Sequence, residues 1–400
     1  MRDVVIIGAG IAGSSLATVL AHLGWDVLVI ERNHIPSQDS SGGCLSPEAQ
    51  ASLIVLGLYD TVAALQPLPI EHVRLMTPGR ARLNLNLPAQ AWMFNRPDLD
   101  RALVQAAQAA GAEVLTGVRA TAIIEADRGY TIELMGWDEG KRVRGRTAIT
   151  ACGRHRLYGL RPIHTENAKQ TPMIALRCDY ENLPLASPNT IELFVFQGGY
   201  AALTPLPLAD GEHVQLWAFM QQSVLPGRSD DIRRPIKTLS QRHPALGQQL
   251  EQGRLLEESS IIHAGFPAQQ PATPWNRTVR LGDAAAMLPP LCFDGMAMAL
   301  RSAEICAPLV HDFLKDRRSR AQWEASYHEA WHREFDQQLE QCWRLHHSLQ
   351  QPSRAALLLT LGKWMPHLAH KMVQATRGPI RSAENVTSLI PAQTASRQDL

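Results

Sequence analysis

Long apolar runs are missing from this 400-residue chain, and with them the ~18 unbroken apolar residues that a membrane-spanning helix needs. The N-terminus has no basic segment, apolar stretch and cleavage site. Val4-Val5-Ile6-Ile7 reads instead as a strand running into glycine, so no signal peptide is expected. An excess of one charge is also lacking. The 39 Lys and Arg against 38 Asp and Glu leave +1, without the basic surplus of a nucleic-acid binder. The six cysteines (Cys44, Cys152, Cys178, Cys292, Cys306 and Cys342) form no Cys-x-x-Cys, which fits reduced thiols in a cytoplasmic protein better than a disulfide or zinc framework. No repeat or low-complexity block is visible. Lysine is absent until Lys141.

What is present is an ordinary globular balance, 45% hydrophobic and 19% charged, in a chain long enough for two domains. The first unit reads strand, glycine turn, helix (Ile11 to Leu23), strand (Asp26 to Glu31). A helix opened by Pro97 and closed by Gly111 follows, then paired strands Val118–Ala126 and Tyr130–Met135. Residues 171 to 266 are rich in proline and β-formers, with strands at Ile191–Phe196 and His213–Phe219. Beyond Gly295 the chain reads as helical almost to Arg377, where Gly378-Pro379 stops it; the polar end is expected to be flexible.

Gly8-Ala9-Gly10-Ile11-Ala12-Gly13 matches G-x-G-x-x-G between a strand and an amphipathic helix. Gly8 makes the tight turn, Gly10 lets the backbone approach a pyrophosphate, Gly13 allows close helix–strand packing, and the amides of Ile11 and Ala12 open the helix. Glu31, followed by Arg32, ends the second strand 18 residues after Gly13, where a carboxylate accepts hydrogen bonds from ribose hydroxyls. An adenine dinucleotide is the expected ligand.

A second block chooses between NAD and FAD. Gly282-Asp283-Ala284-Ala285, then Pro289-Pro290 and a turn at Gly295 into a helix, resembles the G-D-A-A-H…P…G hallmark of the FAD-dependent monooxygenases related to para-hydroxybenzoate hydroxylase. Asn95-Arg96-Pro97-Asp98-Leu99-Asp100 is similar to that family's R-x-x-L/F-D segment. The resemblance implies an α/β chain: a Rossmann-type FAD-binding domain of the glutathione reductase and para-hydroxybenzoate hydroxylase type, with an inserted antiparallel β-sheet substrate domain and a helical C-terminal extension. The boundaries would be 1–65, 96–170 and 267–318 for the FAD domain, 66–95 and 171–266 for the substrate domain, 319–380 for the helical region and 381–400 for the tail. It implies FAD held by Gly282 and Asp283 at the ribityl chain, by Arg96, and by Pro290 and the amides of Gly295 and Met296 near the flavin. NAD(P)H would serve as a transient electron donor.

Departures refine this. The hallmark histidine is Ala286. Of the hydroxylases' A-D-G-x-x-S-x-x-R only the alanine and glycine survive in Ala151-Cys152-Gly153-Arg154-His155-Arg156, which counts against direct use of a nicotinamide; no second G-x-G-x-x-G exists, which counts against a dedicated nicotinamide domain. Ser40-Ser41-Gly42-Gly43-Cys44-Leu45-Ser46-Pro47, with Gly199-Tyr200 and Pro205, looks like the geranylgeranyl reductase and halogenase-like branch. The missing N-terminal lysine and the missing W-x-W-x-I-P sequence argue against halogenation.

The leading expectation is therefore a monooxygenase hydroxylating an apolar or aromatic substrate, free or carrier-bound, through a flavin C4a-hydroperoxide. Alternatives are a double-bond reductase of the geranylgeranyl type and an electron-transfer flavoprotein. Asp294 is the candidate catalytic group, with helix capping as its other role; Cys292 reads as a small packed residue. Leu193, Val195, Tyr200, Leu216, Trp217 and Phe219 could line an apolar pocket. His328-Glu329-Ala330-Trp331-His332 matches the zinc motif H-E-x-x-H, which gives a hydrolase alternative. Trp323, Tyr327, Trp331, Phe335 and Leu339 make the same helix read as a packing surface, and no metal is expected. Residues 355–365 could pack in the core, cover the pocket or touch a membrane surface. A monomer and a homodimer both fit.

Overall fold

The computed structural model describes residues 1–35, 41–79, 81–137, 141–154, 173–208, 211–225, 231–266, 269–378 and 388–390. Ser40, His155, Arg156 and most of the C-terminal tail lie outside them.

The chain opens with β1 (Arg2–Ile7), α1 (Ile11–His22) and β2 (Val27–Glu31), then β3 (Gly42–Leu45), α2 (Pro47–Val55), α3 (Tyr59–Ala63), β4 (Leu68–Met76) and β5 (Arg82–Asn95). Next come α4 (Arg96–Ala109), β6 (Glu113–Thr116), β7 (Arg119–Ala126), β8 (Gly129–Met135) and β9 (Arg142–Thr150). The middle holds β10 (Met173–Glu181), β11 (Thr190–Phe196), β12 (Gly199–Leu208), β13 (Gly211–Gln221), α5 (Arg233–Arg242), α6 (Pro244–Leu250) and β14 (Arg254–Phe266). The chain closes with β15 (Trp275–Asn276), β16 (Thr278–Arg280), α7 (Gly295–Leu314), α8 (Arg320–Leu349), α9 (Pro352–Trp364) and α10 (Pro366–Ala375).

Two eight-stranded sheets result. In the first, β6, β2, β1, β9 and β16 run parallel, with the β7–β8 hairpin attached through β8. The apolar run of β1 suits a central parallel strand: Val4, Val5 and Ile6 are buried on both faces. Val4 and Ile6 belong to the core that includes residues of α1, α4, α7 and α8, while Val5 and Ile7 belong to the core shared with the hairpin.

The second sheet runs β14-β10-β13-β12-β11-β4-β5-β3 and is antiparallel except where β4 meets β11. Alternation along β11 sends Phe194 and Phe196 toward the α5–α6 side and Leu193 and Val195 toward α9. The sequence reading left β3 with the dinucleotide unit, but β3 pairs with β5 at the edge of this second sheet. The chain therefore passes between the sheets four times. Of the polar tail, 388–390 are described: Leu389 N–H donates to the Val55 carbonyl at 2.8 Å, and Leu389 and Ile390 lie against the first core. Among the described residues, no helix is long and apolar enough to cross a membrane, and all six cysteines are free thiols.

Candidate functional site

The β1–α1 turn needs two of its glycines for steric reasons. Gly8 has φ +108°, and a Cβ there would stand 2.3 Å from the Ala151 carbonyl oxygen; a Cβ on Gly13 would stand 1.9 Å from that of Gly8. Gly10 is different. Its φ of −72° suits any residue, and nothing lies within 4 Å of where its Cβ would be. Its bare backbone lines a cleft of about 570 Å³. α1 starts with no side-chain cap and no acidic residue in its first turn, leaving N–H groups and the positive helix end for an anion.

Glu31 lines the same cleft beside Arg32. Its Oε2 accepts from Ala9 N–H and its Oε1 from Asn33 N–H, both at 2.9 Å, so the carboxylate is fixed and keeps lone pairs for hydroxyl donors. Asp283 arrives in a one-turn 3₁₀ segment after β16. There Gly282, at φ +55°, donates its N–H to Ser302 Oγ at 2.9 Å. Burial pushes the Asp283 carboxyl up from its ordinary value, against the opposing pull of Arg154 and Arg96.

Arg96 begins α4, donates its backbone N–H to the Ser41 carbonyl at 2.7 Å and grips both oxygens of Asp100 at 2.9 and 3.0 Å. Gly43 makes room for it. A Cβ at Gly43 would stand 2.4 Å from Arg96 Cδ and 3.1 Å from Met296 Cε. Among the described residues, the buried Arg96 Nε has no partner.

Pro290 leads through Phe293, at φ +52°, to the start of α7, where Gly295 and Met296 line the cleft. α7 too begins with no side-chain cap hydrogen bond and no acidic residue in its first turn. Gly8, Gly10, Ile11, Ala12, Glu31, Arg32, Arg96, Gly282, Asp283, Pro290, Gly295 and Met296 thus share one cleft. Gly13 stands behind it, packed on Gly8.

Asp294 stands at the N-cap position of α7, as the capping expectation had it, although its side chain makes no cap hydrogen bond, and it is not among the residues lining the cleft. It is buried, with Oδ1 accepting from Ser46 Oγ and Oδ2 from Gln338 Nε2, each at 2.5 Å.

The cleft's other wall is the second sheet. Leu193, Tyr200, Trp217 and Phe219 line it, as the sequence reading allowed, whereas Val195 and Leu216 are packed in cores. Tyr200 Oη accepts from Leu291 N–H at 3.2 Å, and its ring meets Phe219 and His346 at 5.8 and 5.7 Å between centroids. Residues absent from the predicted set include Gly43, Cys44, Met93, Ala202, Thr204 and Phe293. The glycine loop was the signal for the first two and the segment Leu291-Cys292-Phe293-Asp294 before the α7 helix for Phe293; no local pattern marked Met93, Ala202 and Thr204. Buried Gln215 ties the loop down by accepting from Gly42 N–H at 2.8 Å while donating to Asp179.

The H-E-x-x-H segment lies on α8. Glu329 is held by Arg333 at 2.6 Å and His332 by Asp336 at 2.8 Å. Trp323, Tyr327, Trp331 and Phe335 form the buried side of that helix. Among the described residues, no three His, Cys, Asp or Glu side chains stand together as metal ligands.

Comparisons with known proteins agree with this geometry. The profile of the family described as FAD binding domain matches residues 1–333. The chain is 26% identical over 338 residues to Protein FixC of Escherichia coli (strain K12), covering 78% of this chain and 77% of that protein. It is 27% identical over 350 residues to digeranylgeranylglycerophospholipid reductase 1 of Methanopyrus kandleri, covering 83% and 86%. Among solved structures, the flavin-dependent brominase Bmp2 superposes with TM-score 0.75 at 17% identity, covering 97% and 96% of the two chains. PqsL of Pseudomonas aeruginosa, described as a probable FAD-dependent monooxygenase, gives 0.65 at 19%, covering 88% and 98%. At such identities these structures speak for the fold. The dinucleotide cleft, the two uncapped helix starts and the match over residues 1–333 together show that this chain belongs to the FAD binding domain family and is an FAD-dependent oxidoreductase.

Proposed function

We propose that the protein is a monooxygenase that hydroxylates an apolar or aromatic small molecule. The observation that carries this reading is the apolar wall of Leu193, Tyr200, Ala202, Trp217 and Phe219, which stands in the same cleft as the start of α7. The amides of α1 beside Gly10 take the pyrophosphate, Glu31 accepts from ribose hydroxyls, and Asp283 accepts from the ribityl chain. Arg96 would hold the cofactor through its unpaired donor, and Gly295 and Met296 would offer backbone amides to the flavin. When bound, FAD would supply the redox chemistry: two electrons from NADH or NADPH and activation of dioxygen, one oxygen atom of which would enter the substrate while the other leaves as water.

The positive end of α7 favours the negative charge that reduction brings. The apolar wall orients the substrate and excludes water. Burial holds the Tyr200 hydroxyl far above its ordinary value, so it stays neutral and serves as wall. Asp294 acts as a positioning residue, tying the α7 start to Ser46 and to Gln338 of α8.

A second reading is a double-bond reductase. The likeness to the Methanopyrus kandleri reductase favours it, as does Cys44, a thiol in the cleft that burial pushes up to about 12 and that could donate a proton to carbon. One experiment separates the two. The FAD-loaded protein is reduced anaerobically with NADH or NADPH and then mixed with ¹⁸O₂ and a panel of apolar aromatic and polyene compounds. The monooxygenase reading expects one ¹⁸O atom in the product. A saturated product without label would overturn it in favour of reduction.

A further inference from the structure

Helix α9 is apolar on both sides. Ala355 and Leu359 face inward, in the same core as Tyr200, Phe219 and Leu193. Leu357, Leu361, Trp364 and Met365 face outward, 60, 41, 81 and 53% exposed; among the described residues they are four of the seven strongly exposed large hydrophobics. Leu357, Leu361 and Trp364, four and three residues apart, share one stripe of the helix, and Met365 stands at its C-cap. A helix apolar all round is normally covered on both sides, and a cluster of this kind on a monomer marks a contact surface.

The charges around the stripe identify what covers it. Arg354 is exposed on the same stripe, Lys363 is exposed on its flank, and Lys371 is exposed on α10. Between Glu340 and Glu384 there is no Asp or Glu, and between Glu71 and Asp98, a stretch that includes β5, there is none either. α9 packs on β5 and α10, so two acid-free stretches adjoin in a chain that carries 38 acidic residues elsewhere. Glu71, on the neighbouring β4, is bound by Gln90 and Asn189.

We infer that α9 seats this protein on an anionic lipid surface. Leu357, Leu361, Trp364 and Met365 enter the boundary between headgroups and acyl chains, while Arg354, Lys363 and Lys371 meet lipid phosphates. This inference concerns docking and stands apart from the reaction proposed above.

The test is flotation of the full-length FAD-loaded protein with two kinds of vesicle, phosphatidylglycerol mixed with phosphatidylcholine, and phosphatidylcholine alone. Binding to the anionic vesicles is expected to be at least about tenfold tighter and to weaken as salt is raised. Leu357→Ser with Trp364→Ser should weaken it at least about tenfold while flavin absorbance and Tm stay unchanged, since both side chains are mostly exposed. Arg354→Glu with Lys363→Glu should abolish the preference for anionic lipid, and serves as the test should the serine variant fail to fold. Failure of the wild-type protein to float with anionic vesicles would overturn the inference. So would equal, salt-independent binding to both vesicles. Sedimentation that shows a dimer dissolved by the serine variant, without vesicle binding, would assign the stripe to a second copy instead.

Discussion

Two glycines in one motif make opposite demands. At Gly13 the constraint is internal, because an added Cβ would land 1.9 Å from a backbone carbonyl oxygen. Gly13→Ala should therefore cost about 2 kcal/mol or more in urea unfolding, whether or not FAD is present. At Gly10 nothing in the chain requires glycine, so Gly10→Val should keep the wild-type unfolding curve of the apoprotein. It should lose FAD affinity by at least about tenfold, ~1.4 kcal/mol, in flavin fluorescence titration. Equal losses of stability for the two variants would contradict this division.

Asp294 makes a pH-dependent contribution. Burial raises its carboxyl to about 6, with Glu48 adding and the Ser46 bond, Arg301 and Arg377 opposing. The folded protein thus holds this proton more tightly than the unfolded chain, whose ordinary value is 3.8. Its contribution to stability is fullest below that value, falls as pH rises toward about 6, and is flat above, a loss on the order of 3 kcal/mol. Asp294→Asn should remove the loss. Its amide oxygen can still accept from Gln338 Nε2 while its N–H donates to the Ser46 hydroxyl oxygen, which turns to accept. In denaturant titrations the variant should match wild type near about pH 4 and exceed it near about pH 7; a difference independent of pH would speak against this account.

At the level of elements, α8 shows how a motif and a packing surface can share one helix. Trp331 is fully buried, so Trp331→Ala should cost about 3–5 kcal/mol. His328→Ala with His332→Ala should change stability by less than about 0.5 kcal/mol each, and a chelator should leave Tm unchanged. A marked chelator effect would revive the metal reading.

The elements legible in the sequence were those with local punctuation. Gly8 and Gly10 around α1, Pro97 and Gly111 around α4, and Gly295 before α7 all announce themselves within a few residues. The second sheet was less legible. Both of its faces are apolar, so alternation in β11 and β13 gave strands without saying that Leu193 and Trp217 face the cleft while Leu216 does not. Asp294 was placed by Gln338, 44 residues on, and Gly42 by Gln215, 173 residues on; no short pattern encodes such partners.

At the scale of the molecule, the cleft draws Gly10 and Glu31 from the first sheet and Trp217 and Phe219 from the second. FAD should then stabilise both together. At a concentration 100 times its Kd it adds about 2.7 kcal/mol to a single transition. Calorimetry, tryptophan emission and flavin emission should give one coincident Tm that rises with FAD. Separate transitions, with only one shifted, would show that the sheets unfold independently.

The four passages between sheets, begun by the short strand β3, also bear on how the molecule can come apart. Two lobes joined by one linker swing open like a book, and a single protease cut frees them. Here a cut in any one passage leaves three peptide tethers, so the nicked pieces should co-elute under native conditions. Independent expression of either lobe would need several splices, because neither is a continuous stretch of the gene.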